Sequence, residues 1–407
     1  MRASRSVAGA ALVFAAAIAA ACGPSTPPSQ REPVRSVRGP GLTPVPTWQP
    51  FAAATPTAPA PSGSHSVSPG ASSSSSAPPP PPAPVQPGLA RKTGTPQDLA
   101  LAEGDAAYDA DDFVKATHAY KKAAKLDPKD PAPWVGLARI AIARTGVATD
   151  YASAPGNAAI VGAVNDLKKA LKLDPNFAPA HIESGRALLM LGKAEEALLA
   201  LRKATSLAVS DPEAHSALGI ALLATGQGDE AVRELARASE LDSNNAARLT
   251  NLGTALILRA RTAEAIQAFE RAIILAPDDP RVRSDLGTAY VAQHDLQRGL
   301  PHLRRAVQLA PDNASYHSNL GYALQLQADH AGAIAEYRKA IELDPKLGSA
   351  WTNLGTALAQ TGQRDEARKA FERALKLDPT DPRPQANLQE LAASADAGAG
   401  SADAAHR

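Results

Sequence analysis

A repeat of 34 residues constrains the fold of this chain more than any other feature. Three sets of small residues recur at this interval and in the same phase, which chance does not produce. The sets are Gly185, Gly219, Gly253, Gly287, Gly321 and Gly355; then Ala197, Ala231, Ala265, Gly299, Ala333 and Ala367; then Ala204, Ala238, Ala272, Ala306, Ala340 and Ala374. A period of this length indicates a solenoid, in which each repeat buries its apolar face only against its neighbours.

Each repeat is predicted to form two helices. The repeats begin at residues 178, 212, 246, 280, 314 and 348, and positions are numbered here from those starts. In the first helix, positions 4, 7, 8 and 11 share one face at 100° per residue, as Trp351, Leu354, Gly355 and Leu358 do. Glycine is expected to end the first helix, at Gly192, Gly226 and Gly362. An Asp-Pro pair supplies the cap and first turn of the next helix, as at 279–280.

These residues are similar to the tetratricopeptide repeat family, whose pattern of Trp, Leu-Gly, Tyr, Ala, Phe, Ala and Pro falls at the same positions. The segment 351–379, WTNLGTALAQTGQRDEARKAFERALKLDP, matches at nearly every one. The resemblance implies an all-α, right-handed superhelical solenoid of helix-turn-helix repeats. We expect a repeat domain over 97–393, with eight repeats and a capping helix, followed by a disordered tail over 394–407. The repeat that begins at 131 is longer and carries an insertion near 145–157.

The first residues have the layout of an export signal. Arg2 and Arg5 precede an uncharged, mostly apolar run, Val7 to Ala21, which is shorter than the roughly 20 residues of a membrane-spanning helix. Cys22, the only cysteine, follows as AAAC and resembles the lipobox of bacterial lipoproteins. That resemblance implies a signal peptide over 1–21, lipidation of Cys22, and an envelope location. Gly23 after the cysteine favours the outer membrane, facing the periplasm.

Residues 22–96 are expected to form a disordered linker because proline and serine replace the branched apolar residues that a core needs. The formal net charge is +1 without a basic stripe, so a nucleic-acid partner is not expected. We find no catalytic motif and expect neither an enzyme, nor a cofactor, nor a metal site. His181, His215 and His317 fall at position 4 and are interpreted as half-buried packing residues.

Positions 2, 6, 9 and 13 of the first helices point away from the partner helix and are predicted to line a concave surface. The candidate groove residues are Asn251, Thr254, Arg281, Asp285, Thr288, Asn319, Tyr322, Asn353 and Thr356. Position 6 is asparagine in three of these repeats, and an amide offers a donor and an acceptor to an extended peptide. The pattern resembles the asparagine-lined repeats of O-linked N-acetylglucosamine transferases. Alternatively, these asparagines have no binding role: Asn-Leu-Gly is a common sequence in this repeat, and the side chains contact only water.

The sequence favours a membrane-anchored scaffold that binds a protein or peptide and assists assembly or regulation of an envelope complex. It resembles envelope assembly lipoproteins, including pilotin-like factors of pilus secretins and adaptors of peptidoglycan hydrolases. The lysine and arginine clamp of chaperone-binding relatives is not expected, since only scattered basic residues such as Arg186 fall at groove positions. Two alternatives remain open: a self-associating structural solenoid and an accessory subunit of an envelope enzyme. The partner and the oligomeric state also remain open.

Overall fold

The computed structural model describes residues 88–147 and 152–404, with side chains as far as residue 393. The predicted signal peptide, Cys22 and most of the predicted linker lie outside these residues. The described residues form seventeen α-helices and no strand, so the predicted all-α fold of helix pairs is confirmed. They divide into two compact units, one ending at Asn251 and the other beginning at Leu252, and each is described by itself.

The first unit contains four helix pairs and the first half of a ninth helix. Its helices are α1 (Pro96–Asp109), α2 (Phe113–Leu126), α3 (Ala132–Ala143), α4 (Ala158–Leu173), α5 (Ala178–Met190), α6 (Ala194–Leu207), α7 (Pro212–Ala224), α8 (Gly228–Leu241) and the start of α9 (Ala246–Leu258). The first helices α1, α3, α5 and α7 contact one another in order, whereas the described second helices contact only first helices. The first helices therefore form a continuous layer on one side of this unit.

The second unit repeats this arrangement after the end of α9. Its helices are α10 (Thr262–Leu275), α11 (Pro280–Ala292), α12 (Leu296–Leu309), α13 (Ala314–Leu326), α14 (His330–Leu343), α15 (Gly348–Gln360), α16 (Arg364–Leu377) and α17 (Pro382–Ala404). The layer of first helices here is α11, α13, α15 and α17. Helix α17 continues well past residue 393, where we expected a disordered tail, and the expectation needs correction because the alanine-rich sequence favours helix.

Glycine at position 8 lets the two helices of a repeat approach closely. A Cβ atom on Gly253 would lie 2.5 Å from Cε1 of Phe269, and one on Gly355 would lie 2.5 Å from Cε1 of Phe371. Real side chains do not approach to that distance, so a larger residue would push the second helix away. The large second-helix residue packs over the glycine and is fully buried, which makes this contact the centre of each repeat.

The turn between the two helices of a repeat adopts a left-handed backbone at position 15. Gly192, Gly226 and Gly362 have φ values of 76°, 77° and 79°, as their sequence positions predicted. Three repeats place a side chain at the same position: Ala260, His294 and Ala328, with φ values of 57°, 63° and 64°. An L-residue pays roughly 1–2 kcal/mol for this conformation. The glycine rule derived from the sequence is therefore incomplete, since packing of the helix pair imposes the turn even without glycine.

The insertion joins α3 to α4, and its described part packs against the end of α5. The backbone N–H of Ala152 donates to the carbonyl of Leu189 at 2.8 Å, and that of Ala154 donates to Met190 at 2.9 Å. The side chain of Asn157 then caps α4 by accepting from two backbone N–H groups. The second half of the insertion is thus a docked segment with fixed hydrogen bonds.

Candidate binding groove

The surface formed by positions 2, 6, 9 and 13 of the first helices is called the groove surface below. In both units these helices lie side by side, so that residues at the same position in successive repeats come close to one another. The groove surface carries charged residues in the first unit and mostly neutral polar residues in the second unit. This difference decides which groups remain able to bind a partner.

In the first unit, charged groove residues pair with one another. The Nε atom of Arg139, at position 9, donates to Oε1 of Glu183, at position 6 of the next repeat, over 2.8 Å. Nη1 of Arg186 lies 3.7 Å from Oε2 of the same carboxylate and 3.5 Å from Oε1 of Glu213. Burial raises the pKa of Glu183, but the charges of Arg139 and Arg186 outweigh it and hold that pKa below its ordinary value. The carboxylate is therefore ionised and fully compensated.

The same chain of ion pairs continues to the next repeat through Arg248. Its Nε atom donates to Oδ2 of Asp242 at 2.9 Å, and its Nη1 atom donates to the carbonyl of Pro212 at 3.0 Å. Nη1 also lies 3.4 Å from Oε2 of Glu213. Sequence reasoning missed this network, although arginine at position 9 of two successive repeats was a usable signal. This network occupies the charged groove residues of the third and fourth repeats, namely Glu183, Arg186 and Glu213, together with Arg139 of the second repeat.

The segment 88–95 lies on the first repeat and corrects the predicted linker, which we expected to continue to residue 96. Backbone N–H groups of Leu89 and Ala90 donate to Oδ2 of Asp105, at 2.7 and 3.0 Å. Those of Arg91 and Thr93 donate to Asp98, both at 2.6 Å. Asp98 and Asp105 occupy positions 2 and 9 of the first repeat. Acceptors on the groove surface thus hold the backbone of a non-helical segment, which composition alone did not predict.

Side chains of the same segment strengthen this attachment. The side chain of Leu89 is buried among the apolar residues of the first repeats. The guanidinium of Arg91 forms two parallel hydrogen bonds with Asp130, at 2.9 and 2.8 Å, and lies 5.9 Å from the ring centre of Phe177. A bidentate pair of this kind fixes orientation as well as distance.

In the second unit, asparagine side chains link consecutive repeats. Nδ2 of Asn319 donates to Oγ of Ser284 at 3.1 Å and contacts Oγ1 of Thr288 at 3.4 Å. Nδ2 of Asn387 similarly donates to Oγ1 of Thr356 at 3.3 Å. The amide N–H groups are therefore used within the chain. Oδ1 of Asn319 receives no hydrogen bond from residues 88–147 or 152–404, and it remains an acceptor.

Two neighbouring groove residues make no hydrogen bond with any described residue. They are Tyr322, at position 9, and Asn353, at position 6 of the next repeat, and both side chains are half-buried. Burial raises the pKa of the Tyr322 hydroxyl, which stays a neutral donor and acceptor. Together they offer a hydroxyl and a complete amide group on the groove surface.

Asp285 is the one predicted groove residue with an acidic side chain. It is only 2% exposed. Nε of Arg281, one turn earlier, lies 3.7 Å from Oδ2, beyond hydrogen-bond distance. No described residue donates a hydrogen bond to this carboxylate. Burial raises its pKa to about 7, and the charge of Arg281 counteracts that rise only in part.

The predicted groove residues are less exposed than the sequence suggested. Asn251 is only 1% exposed, and Thr254, Asp285 and Thr356 are also buried. Their expected solvent-facing position needs correction, because these side chains are buried in the folded protein. Oδ1 of Asn251 is buried and accepts no hydrogen bond from the described residues. The half-buried candidates are Arg281, Thr288, Asn319, Tyr322 and Asn353.

In several repeats, the side chain at position 4 binds the first helix to the preceding turn. Nδ1 of His317 lies 2.6 Å from Oε2 of Glu336, and Nε2 lies 2.9 Å from the carbonyl of Pro311. The hydrogen bond with Glu336 raises the pKa of His317, since both partners accept hydrogen bonds from a protonated ring. Trp351 donates from Nε1 to the carbonyl of Pro345 at 3.0 Å in the same way. These residues have a local packing role.

Comparisons with known families and structures agree with this architecture. Two profiles of the family named tetratricopeptide repeat match residues 156–219, 222–286 and 324–391, and residues 284–348. Together they cover more than half of the chain. No curated protein matches. Within the described residues, no helix has both the length and the apolar character that crossing a membrane requires.

Solved structures are similar over long stretches at low identity. A chain of the Cut9–Hcn1 hetero-tetramer of the APC/C is 17% identical, with a TM-score of 0.56 over 74% of this chain and 57% of that one. This protein thus spans a little over half the length of that relative, and the likeness shows the fold alone. PilF of Pseudomonas aeruginosa is 23% identical, with a TM-score of 0.46 over 53% of this chain and 98% of its own. YrrB, described as having an unusual peptide-binding site, is 22% identical, with a TM-score of 0.37 over 46% and 97%.

Proposed function

We propose, from the premise that this chain belongs to the tetratricopeptide repeat family, that its second unit binds an extended segment of a partner protein. Solenoids of this kind use the surface of their first helices for binding. One observation carries the proposal. Tyr322, Asn353 and the side-chain carbonyl of Asn319 are half-buried polar groups without hydrogen-bond partners among residues 252–393. In the first unit, by contrast, Glu183 already pairs with Arg139 and Arg186.

We further propose that the protein works as a membrane-anchored scaffold in a bacterial envelope. The support is the sequence AAAC at 19–22 after an apolar run, together with the proline- and serine-rich residues that follow. The anchor would hold the repeats at the outer membrane, facing the periplasm, where they assist assembly or regulation of an envelope complex. More than one acyl chain on Cys22 would make the anchoring stable, because a single chain binds a membrane only marginally.

Peptide binding by the full-length protein in detergent tests the groove. An array of acetylated, amidated nonapeptides identifies ligands, and the double variant Asn319→Ala, Asn353→Ala is compared with wild type. Each lost hydrogen bond is worth about 1 kcal/mol net, so the affinity should fall by roughly tenfold or more. Lys339→Ala and Lys369→Ala, on the second helices α14 and α16, are matched controls and should bind normally. Equal binding by the double variant, with an unchanged circular dichroism spectrum, would place the site elsewhere.

Cell fractionation tests the anchor. Wild-type protein should require detergent for release from membranes, and Cys22→Ser should appear as an uncleaved precursor or as a species released without detergent. Ser25→Ala is a matched control that keeps the cysteine. Release of the wild type by lysis alone would contradict lipidation.

Light scattering in detergent tests self-association. A concentration-dependent oligomer formed through the groove surface would favour the alternative of a self-associating structural solenoid.

A further inference from the structure

Asp285 and Glu183 are equivalent acidic residues with different surroundings. Both occupy position 6 of a first helix, and both are almost completely buried. Glu183 has a close guanidinium partner, since Nε of Arg139 donates to it at 2.8 Å. Asp285 has no such partner among the described residues. The same position in the repeat thus holds a fully compensated carboxylate in the first unit and an only partly compensated one in the second.

The residues that would supply the missing partner are different in the second unit. Position 9 of the preceding repeat, which is Arg139 for Glu183, is Thr254 for Asp285. Position 9 of the same helix, which is Arg186 for Glu183, is Thr288. A threonine hydroxyl carries no positive charge. The second unit therefore has an acid at position 6 but threonine at both positions where the first unit has arginine.

Arg281 does not take the place of Arg139. It lies on the same helix as Asp285, with Nε 3.7 Å from Oδ2, and therefore resembles Arg186, which lies 3.7 Å from Glu183. In the first unit that loose contact accompanies a direct hydrogen bond from a second arginine, and in the second unit it stands alone. The other titratable groups that influence Asp285 are Asp279 and Tyr316, and neither supplies a positive charge.

We propose that Asp285 binds a basic side chain, arginine or lysine, carried by the extended segment that occupies the groove. This inference rests on the proposed function and specifies its ligand chemistry. The cation of the ligand takes the place that Arg139 has beside Glu183. A carboxylate-bearing or phosphorylated segment is excluded, because a second negative charge beside an uncompensated acid is repelled.

The neighbouring polar groups give the ligand its register. Asn319 donates from Nδ2 to Ser284, the residue before Asp285 in the sequence, and its Oδ1 can accept from the ligand backbone. Tyr322 and Asn353 follow in the next two repeats. Adjacent first helices are separated by about 8–10 Å, and an extended chain advances about 3.3 Å per residue. The basic residue therefore lies about three residues along the ligand from the part that contacts Asn319 and Tyr322, and about five to six residues from the part that contacts Asn353.

A peptide series tests this directly on the full-length protein in detergent. The probes are acetyl-Ala-Ser-Pro-Ala-X-Ala-Pro-Ser-Ala-amide, in which X is arginine, lysine, citrulline or glutamate. Wild type should bind the arginine peptide at least tenfold more tightly than the citrulline peptide, which has the same shape without the charge. Asp285→Asn should remove that preference and leave binding of the citrulline peptide unchanged. Asp312→Asn, which removes an exposed charge from the same unit, should keep the preference.

The outcomes separate this inference from the proposed function. If all four peptides bind equally, or if Asp285→Asn retains the preference, the inference is overturned while groove binding stands. If no peptide binds, the proposed groove binding is wrong. The melting temperature measured without peptide then still shows whether the carboxylate of Asp285 lacks a partner. At pH 8, Asp285→Asn should raise the melting temperature because it removes an uncompensated charge, whereas Glu183→Gln should lower it. A lowered melting temperature for both variants would mean that Asp285 already has a partner, and it would overturn the inference.

Discussion

The two units share one backbone repeat and differ in how their groove surfaces use polar groups. In the first unit, Arg139, Glu183 and Arg186 join residues of different repeats through ion pairs. In the second unit, the amide of Asn319 makes the corresponding connection by donating to the hydroxyl of Ser284, and Asp285 nearby has only a long contact with Arg281. Stability and binding thus compete for the same positions. Pairing of the groove residues strengthens the stack and consumes the groups that a ligand would need.

The largest effect is expected when the ion pair of the first unit is broken. Arg139→Met leaves the buried carboxylate of Glu183 without its closest donor, and loss of one partner of a buried pair costs about 3–5 kcal/mol. The midpoint of chemical denaturation should fall accordingly. The double variant Arg139→Met, Glu183→Met should recover most of the loss, because it removes both charges.

The matched change in the second unit is Arg281→Met. Its loss should be about 1 kcal/mol or less, since the contact is long and the arginine is partly exposed. Equal losses of unfolding free energy for Arg139→Met and Arg281→Met would mean that Asp285 depends on its arginine as strongly as Glu183 does, which contradicts the difference between the units.

An effect smaller than that of Arg139→Met, and dependent on pH, is expected at Asp285. Its folded pKa is raised from 3.8 to about 7, so the folded protein holds this proton more tightly than the unfolded chain. The free energy of unfolding therefore decreases as the pH rises from about 4 to about 7, and it stays at the lower value above pH 7. Asp285→Asn removes this decrease. Its stability relative to wild type should grow from near zero at pH 4 to about 2–4 kcal/mol at pH 8, because one pKa unit corresponds to about 1.4 kcal/mol.

Denaturation of wild type and variant across this pH range measures the difference. Parallel curves would show that the carboxylate of Asp285 is as well compensated as that of Glu183. Glu183→Gln is the control, since the lowered pKa of Glu183 places its pH dependence in the acidic range, with stability lost as the pH falls.

The smallest effect concerns the turn within each repeat. Ala328 adopts a left-handed backbone, and Ala328→Gly should stabilise the second unit by about 0.5–1 kcal/mol after the entropic cost of glycine is included. Gly226→Ala in the first unit should destabilise by about 1 kcal/mol. Among the described residues, no neighbouring heavy atom lies within 4 Å of a Cβ built at Gly226, so the change tests the backbone conformation. Thermal unfolding detects both changes, and shifts in the same direction for the two variants would contradict the interpretation.

The helix pairs could be predicted from the sequence because their determinants are local and periodic. Small residues such as Gly253 face large ones such as Phe269 at a constant separation within one repeat. The ion pair between Arg139 and Glu183 could not be predicted in the same way. It joins residues on either side of the insertion, which breaks the period, and its existence depends on how closely α3 and α5 pack.

The burial of Asp285 and Asn251 has the same origin. Helical periodicity gives the face on which a side chain lies, but the distance to the next first helix determines whether that face is covered. The attachment of residues 88–95 could not be predicted for another reason. It depends on hydrogen bonds from the backbone of this segment to Asp98 and Asp105, and the sequence does not show that the segment lies beside these two aspartates.

The attachment of residues 88–95 also determines how the repeats respond to mechanical load. A pull on the chain before Gly88 first loads the hydrogen bonds to Asp105, in the last part of α1, and then those to Asp98, before it reaches the backbone at the start of α1. Through Arg91, part of the force passes to Asp130, which precedes the second repeat and accepts a hydrogen bond from the N–H of Ala132 at the start of α3. Two repeats therefore share the tension, and the first helix is not unwound from its free end.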